Sequence, residues 1–387
     1  MTRVLAVADA DSYLKWSAAT LDRLPGHWDR RQVVITSPTT PSQEQVVAAT
    51  GTPVPRMSLW ALRSLLRRDP PDVLLLACTG PTVEALAGLR AVRGPHRPVL
   101  VTGLPGISIP ASARAVERRR ACDLFVVHSL RERDAFARLA AERAPGLRVA
   151  LARLPFLSDD PVGRTTTGTD VLFAAQAKVP PERADREAIL LSLAAVGPRG
   201  SAVIKVRATA GEQQTHAEQH PYAELFADLV AAGRVPADAV RFRSGAMSEA
   251  LRSARCLVTV SSTAALEAMA ADVPVLVLSD FGVDPTMINV GFEGSGCLGT
   301  LADLRAGRAY RQDPLWQREN YFHPAVENDL VEQLEHLLDE RDAGRLATRG
   351  STRRPWRGLA RLLVPTAVAR LVRRSTARRR EKSGRMA

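Results

Sequence analysis

Cysteine is scarce and scattered. The four residues, Cys78, Cys122, Cys256 and Cys297, form no Cys-x-x-Cys pair and have no histidine at zinc-ligand spacing. That excludes a zinc ribbon or a thioredoxin-type redox site and predicts reduced, structural thiols. No apolar run approaches the ~18 residues of a membrane span. The first residues, Met1-Thr2-Arg3-Val4-Leu5-Ala6-Val7-Ala8-Asp9, reach an acid too early for a secretory signal, so a cytoplasmic protein is expected. Lysine is nearly absent: 4 of the 53 basic residues, the remainder arginine, a bias that reads as genome composition.

What is present is globular. A chain of 387 residues suggests two or three domains. Its 45% hydrophobic and 24% charged residues exclude a disordered chain and a multi-span membrane protein. The net charge of +12 resembles a nucleic-acid binder until the charges are located. Residues 345–387 hold 14 Lys+Arg and one acid, Glu381, whereas residues 1–344 hold 39 bases and 40 acids. The basic character therefore belongs to a tail, and the body is close to neutral.

Short Val- and Leu-rich runs alternate with amphipathic stretches from the start: Val4–Ala8, Val33–Thr36, Val73–Ala77, Val99–Thr102, Leu124–His128 and Val149–Leu154. Runs apolar on both faces, separated by helical stretches such as Leu59–Arg68 and Arg131–Glu142, predict parallel strands buried between helices. A second series follows the Gly/Pro/Thr-rich stretch Pro155–Thr169, with strands at Val171–Ala175, Ala202–Val206, Val240–Arg243, Leu257–Val260 and Val275–Leu278. The expected organisation is a first Rossmann-like domain over 1–157, a linker over 158–169, a second over 170–344 closed by a helix Val326–Asp342, and a basic tail over 345–387. The fold class is α/β, two doubly wound domains facing a cleft, with ligands at the carboxyl ends of the strands.

The most informative segment is Val258-Thr259-Val260-Ser261-Ser262-Thr263-Ala264-Ala265-Leu266-Glu267, a strand ending in hydroxyls that also open a helix. Ser261, Ser262 and Thr263, with free N–H groups at the helix start, outline a phosphate site, and Glu267 one turn on is placed for ribose hydroxyls. Ser262 or Thr263 acting only as a helix cap is the plain alternative. Upstream, Lys205 and Arg207 end a strand on one side and can reach the same phosphates. The loop Gly211–Glu218 with His216, then His220-Pro221, is dense in hydrogen-bonding side chains, and an ordinary solvated edge reads equally well.

In the first half, Asp9, Asp11, Ser12 and Lys15 follow the first strand. Asp11 is the candidate general base toward an acceptor hydroxyl, or else caps its helix. Thr79, Gly80, Gly103, Gly106, His128 and Ser129 lie in later strand-end loops expected to line the same side, with the glycines admitting close approach of a ligand. None of these loops is the Gly-x-Gly-x-x-Gly dinucleotide turn, and neither a Gly-Lys-Ser/Thr loop nor Gly-x-Ser-x-Gly occurs. No metal cluster is visible. The tail mixes Trp356, leucines and arginines around Pro365, as in a segment lying on an anionic bilayer; a disordered solubilising tail is the alternative, and RNA contact is disfavoured for want of a stacking platform.

Two Rossmann-like domains, a cationic strand end, and Ser-Ser-Thr-x-x-x-Glu before Val-Pro-Val-Leu-Val-Leu resemble GT-B glycosyltransferases. Asp11-Ser12-Tyr13-Leu14-Lys15-Trp16, Gly211–His216, Asn289–Thr300 and Asn320-Tyr321-Phe322-His323 resemble a bacterial glycosyltransferase family over about residues 1–340. The second half is also similar to capsular Kdo transferases and bacterial sialyl- and polysialyltransferases, with His220-Pro221 and Ser261-Ser262-Thr263 matching their motifs in type and order. It departs from them in having Lys205-Val206-Arg207 where the Kdo enzymes carry Lys-x-His-Pro, so CMP, UDP and GDP donors all stay open. The resemblance implies a metal-independent transfer of sugar from a nucleotide-sugar co-substrate, without further cofactor, to a polysaccharide or lipid-linked acceptor. The enzyme would sit at the inner face of the plasma membrane. An epimerase of the same shape, or a silent scaffold or RNA-associated protein that kept the fold, are the alternatives.

Overall fold

The computed structural model describes residues 1–37, 39–94, 96–154, 157, 168–196, 201–206, 218–347 and 362. The first domain runs β1 (Arg3–Ala8), α1 (Asp11–Asp22), β2 (Asp29–Ile35), α2 (Gln43–Thr50), β3 (Arg56–Met57), α3 (Leu59–Arg68), β4 (Val73–Ala77), α4 (Gly80–Ala87), β5 (Val99–Gly103), α5 (Ala113–Arg119), β6 (Leu124–Val127), α6 (Leu130–Arg143) and β7 (Arg148–Leu151). The strands form one parallel sheet in the order β3-β2-β1-β4-β5-β6-β7. The central strands β1, β4, β5 and β6 are legible in the sequence because they are apolar on both faces. In β1, Leu5 and Val7 feed one core while Val4 and Ala6 feed the core on the opposite face.

The second domain repeats the design: β8 (Asp170–Ala174), α7 (Arg183–Ala194), β9 (Ala202–Lys205), α8 (Tyr222–Ala231), β10 (Val240–Arg243), α9 (Met247–Leu251), β11 (Ala254–Thr259), α10 (Ala264–Ala270), β12 (Val275–Leu278), β13 (Leu298–Gly299), α11 (Leu301–Arg305) and α12 (Pro314–Glu319). Its sheet is parallel in the order β10-β9-β8-β11-β12-β13. Val171 and Phe173 of β8 enter one core and Leu172 and Ala174 the other. The two-residue strands β3 and β13 escaped the sequence reading because so short a segment has no periodicity to detect.

Each sheet has one place where the strand order reverses, between β1 and β4 in the first and between β8 and β11 in the second. At such a switch point neighbouring crossovers leave in opposite directions and open a crevice at the carboxyl ends of the strands. The loops Asp9–Asp11 and Cys78–Gly80 leave β1 and β4; Ala175–Ala177 and Val260–Thr263 leave β8 and β11.

The last helix, α13 (Leu330–Asp342), corrects the expected domain boundary. It packs on β5, β6 and β7 of the first sheet, with Leu330, Leu334 and Leu337 in the core of Val4, Leu75 and Val101. Its leucine stripe shares this sheet face with Tyr13, Trp16 and Leu21 of α1. Asp329 clamps the return: Leu151 N donates to its carboxylate at 2.7 Å, and its own N–H donates to Leu151 O at 3.1 Å. Order also extends past residue 344, since Leu346 and Leu362 are buried against the first domain and Arg97 Nη2 donates to Ala347 O at 2.8 Å. Most of the linker 158–169 and of the tail lies outside the described residues. All four cysteines are free and buried.

Candidate functional site

In the second domain the turn after β11 is built by hydroxyls. Thr259 Oγ1 donates to Ala174 O at 3.1 Å and accepts from Ser262 N at 3.1 Å, tying the two strands that flank the switch point. Ser262 Oγ accepts from Ala264 N at 3.2 Å, so this side chain does serve as a cap, and Ser261 Oγ donates to Ile288 O at 2.6 Å. Thr263 flanks α10 without a capping bond. Of the three hydroxyls offered as phosphate ligands, two are thus already engaged in shaping the loop.

Glu267 lies one turn into α10. Burial pushes its carboxyl up to about 7, while the ammonium groups of Lys205 and Lys15 pull it back. Lys205, the last residue of β9, is 7% exposed and donates to Val206 O at 3.1 Å. Lys15 belongs to α1 of the other domain, so cations from both domains act on this carboxyl. His220 is half-buried before α8. Arg207, His216 and the loop from Gly211 lie outside the described residues.

In the first domain Asp11 opens α1. Its Oδ2 pairs with Lys15 Nζ at 2.9 Å, one turn on, and its Oδ1 is buried without a hydrogen-bond partner. The flanking residue of α1 is Ala10, and no side chain caps it, so the helix-cap alternative for Asp11 or Ser12 does not hold. Ser12 is exposed. Gly106 meets the second domain directly: a Cβ there would stand 3.2 Å from Thr263 Cγ2. Beside it, a Cβ on Gly291 would stand 2.9 Å from Ile107 Cγ2. These contacts form part of the seam between the two domains.

Several expected cleft residues prove internal. Asp9 is fully buried and accepts from Thr79 N at 2.9 Å and Thr79 Oγ1 at 2.7 Å, so these two satisfy each other. Beside them Arg119 donates to Tyr13 Oη at 3.1 Å and Cys78 O at 3.2 Å, and burial raises the Tyr13 phenol to about 12. His128 is 1% exposed. Its Nε2 accepts from the Trp16 indole at 2.8 Å, which puts the proton on Nδ1, donating to Ala152 O at 2.8 Å. Burial lowers it to about 4, a neutral core histidine. Ser129 caps α6, accepting from Glu132 N at 3.1 Å. Gly80 and Gly103 do need to be small, but for packing: a Cβ would stand 2.6 Å from Arg118 Cδ and 2.5 Å from the Trp16 ring respectively.

Among the buried charges that the sequence did not reveal, two tie loops near the site. Arg186 of α7, 1% exposed, donates to the carbonyls of Gln176, Ala177, Pro180 and His220 and to Glu218 Oε1 at 2.6 Å, and stacks 4.9 Å from the Tyr222 ring centroid. It pins the loops on either side of β9's end. Glu132 accepts from Ser108 N at 2.7 Å, His128 N at 2.9 Å and Tyr321 Oη at 2.7 Å, and burial raises it to about 7. Neither has a signature in sequence, since each sits inside an unexceptional amphipathic helix. A literal Gly-x-Gly-x-x-Gly, Gly294–Gly299, runs into β13 instead of out of a strand, which is the wrong context for a dinucleotide turn. Among the described residues no group of three His, Cys, Asp or Glu converges as a metal site.

Residues 4–337 match the family described as "Putative glycosyltransferase (DUF6716)". No curated protein matches the sequence. Among solved structures, an S. aureus MnaA–UDP co-structure superposes with a TM-score of 0.55 at 12% identity, covering 90% of this chain and 98% of that one. The UDP-GlcNAc 2-epimerase of Methanocaldococcus jannaschii gives 0.54 at 11% identity, covering 87% and 99%. The Neisseria meningitidis enzyme of that name, bound to UDP-GlcNAc, gives 0.50 at 12% identity, covering 88% and 100%. At these identities the likeness is one of fold, the two-domain GT-B arrangement.

Proposed function

Since the chain belongs to this glycosyltransferase family, we propose that it moves a sugar from a nucleotide-sugar donor to a hydroxyl of a surface polysaccharide or glycolipid. The observation that carries this reading is Glu267, half-buried in α10, where the charges of Lys205 of its own domain and Lys15 of the other both act on its carboxyl. A half-buried carboxylate in the field of two ammonium groups suits a ribose hydroxyl pair next to a phosphate. Lys205, with Arg207, would neutralise the departing nucleotide, an electrostatic task that preorganised cations perform without a divalent ion.

Asp11 would take the acceptor proton through Oδ1, its unpartnered oxygen, while Lys15 holds Oδ2. The acceptor oxygen then bonds to the anomeric carbon as the carbon–oxygen bond to phosphate breaks, and the nucleotide leaves with that electron pair. The acceptor at a lipid surface, and the placement of the enzyme on the inner face of the membrane through its basic tail, belong to the same reading. No helix among the described residues is long and apolar enough to cross a membrane.

The test is product analysis with UDP-, CMP- and GDP-sugars, with UDP first because two of the fold neighbours are described with UDP or UDP-GlcNAc. Transfer gives free nucleotide and an acceptor heavier by one sugar. Conversion of the donor to an isomer without any acceptor would replace the reading with an epimerase, whose shape the fold shares.

A further inference from the structure

Three of the four described tryptophans are buried: Trp16 at 1%, Trp28 at 4% and Trp316 at 5% exposure, whereas Trp60 is 63% exposed. It stands in the first turn of α3, the amphipathic helix whose Leu59, Leu62 and Leu66 enter the core of the first domain. Trp60, Arg63 and Arg67 follow one another at helical spacing on the stripe beside these leucines, and the Arg63 guanidinium lies 5.0 Å from the Trp60 ring centroid. Arg68 extends the stripe. Packed against α3 is the short turn Arg90–Val92, which adds Arg90 and Arg93.

No acid occurs from Met57 to Arg68 or from Ala85 to Arg97. Among the described residues none of Arg63, Arg67, Arg68, Arg90 and Arg93 has a carboxylate partner, and Asp69, next along the chain, is taken by Arg3 and Arg31. Elsewhere on the body, arginines such as Arg148, Arg241 and Arg341 sit on acids within 3 Å. An exposed indole with Arg63 over its ring, followed along the helix by arginines without carboxylate partners, has the chemistry of a surface that dips an aromatic into the acyl boundary while arginines meet phosphates.

We propose that the α3 face, Trp60 with Arg63, Arg67, Arg68, Arg90 and Arg93, docks the folded body on an anionic lipid bilayer. Two features support a bilayer as the occupant. The tail, with its 14 basic residues, is tied through Leu362 to the same core that α3 covers, so both basic segments start from one side of the first domain. In addition, α3 begins directly after β3, so Trp60 lies at the carboxyl ends of the strands, the edge where Asp11 stands. A bilayer against this face presents a lipid-linked acceptor to the mouth of the site. The inference takes from the transferase reading only that setting, because docking is measured without activity.

The experiment sediments the full chain with phosphatidylcholine vesicles with and without phosphatidylglycerol. Trp60→Ser and a double Arg63→Glu/Arg67→Glu variant, tail intact, are expected to partition at least about tenfold less onto the anionic vesicles. In a Trp356→Phe background, lipids brominated along the chain should quench tryptophan emission, and adding Trp60→Phe should abolish the quenching. Unchanged thermal unfolding certifies that the variants are folded. Sedimentation equal to wild type, or emission indifferent to brominated lipid, would overturn the proposal, leaving the tail as the sole membrane contact. Variants that lose RNA binding while keeping vesicle binding would also overturn it. Loss of docking in a chain that transfers no sugar still supports the lipid face, so the two readings fail separately.

Discussion

Tyr321 Oη donates to Glu132 Oε1 at 2.7 Å, joining the segment that leaves the second domain to α6 of the first. The same oxygen accepts from Ser108 N, two residues beyond the glycine that meets Thr263. The carboxylate therefore holds both the returning chain and the loop at the domain seam. Tyr321→Phe removes one of its donors and should lower stability by roughly 1–3 kcal/mol, read by urea unfolding. A variant as stable as wild type would show that the bond carries no weight.

Glu267 sets a pH dependence whose sign is fixed. Its carboxyl rises from 4.5 to about 7 on folding, because burial outweighs the two lysines. The folded state therefore keeps a proton that the unfolded chain gives up, and the stability this contributes is full below 4.5 and lost as pH climbs to about 7. Glu132 acts in the same direction, and His128, lowered from 6.5 to about 4, opposes both by losing stability as pH falls through that window. Glu267→Gln should shrink the drop in melting temperature between pH 5 and pH 8; an unchanged drop would mean that the carboxyl titrates normally.

Arg186 should matter to donor binding without touching donor. Replacing it by Met leaves Glu218 and four loop carbonyls without their common donor, a loss of roughly 3–5 kcal/mol by analogy with broken buried pairs. Lys cannot span the same fan of acceptors. The expected outcome is a lower melting point together with a weakened nucleotide response at temperatures where the variant is still folded. A full nucleotide response there would separate the hub from the site.

Asp11→Asn should retain donor binding and lose about 10²–10⁴-fold in transfer rate, the usual worth of a general base. Ser129→Ala is its contrast: about 1 kcal/mol of stability, from the lost cap, with the transfer rate unchanged in assays on folded protein. If Asp11→Asn transfers at the wild-type rate, the base lies elsewhere along the seam.

The architecture was legible because parallel strands buried on both faces cannot disguise themselves: β1, β4, β5, β8 and β12 are continuous apolar runs. Their alternation with helices placed the strand ends along the chain, and with them Asp11 and Ser261–Thr263; the strand order that makes these ends switch points came from the structure. What sequence hid was direction. Asp9, His128 and Ser129 also stand at strand ends, yet their side chains turn inward to Thr79, Trp16 and Glu132, because buried backbone and hydroxyl donors there needed acceptors. The partners that decide this lie up to 112 residues away. A compositional clue was available and passed over: two of only four lysines, Lys15 and Lys205, act electrostatically on one glutamate. The helix α13 was found but given to the wrong domain, since a leucine stripe does not say which sheet it covers.

The most direct measurement is a thermal-shift series on the full chain with CMP, CDP, UDP, GDP and their sugar conjugates. A ligand at 100 times its dissociation constant adds roughly 2.7 kcal/mol, well within detection. One nucleotide class should raise the melting temperature selectively, and Lys205→Ala or Glu267→Ala should abolish that rise while melting as single folded species. A chain that responds to no nucleotide, or responds equally with both residues removed, would contradict a donor site between Lys205 and Glu267.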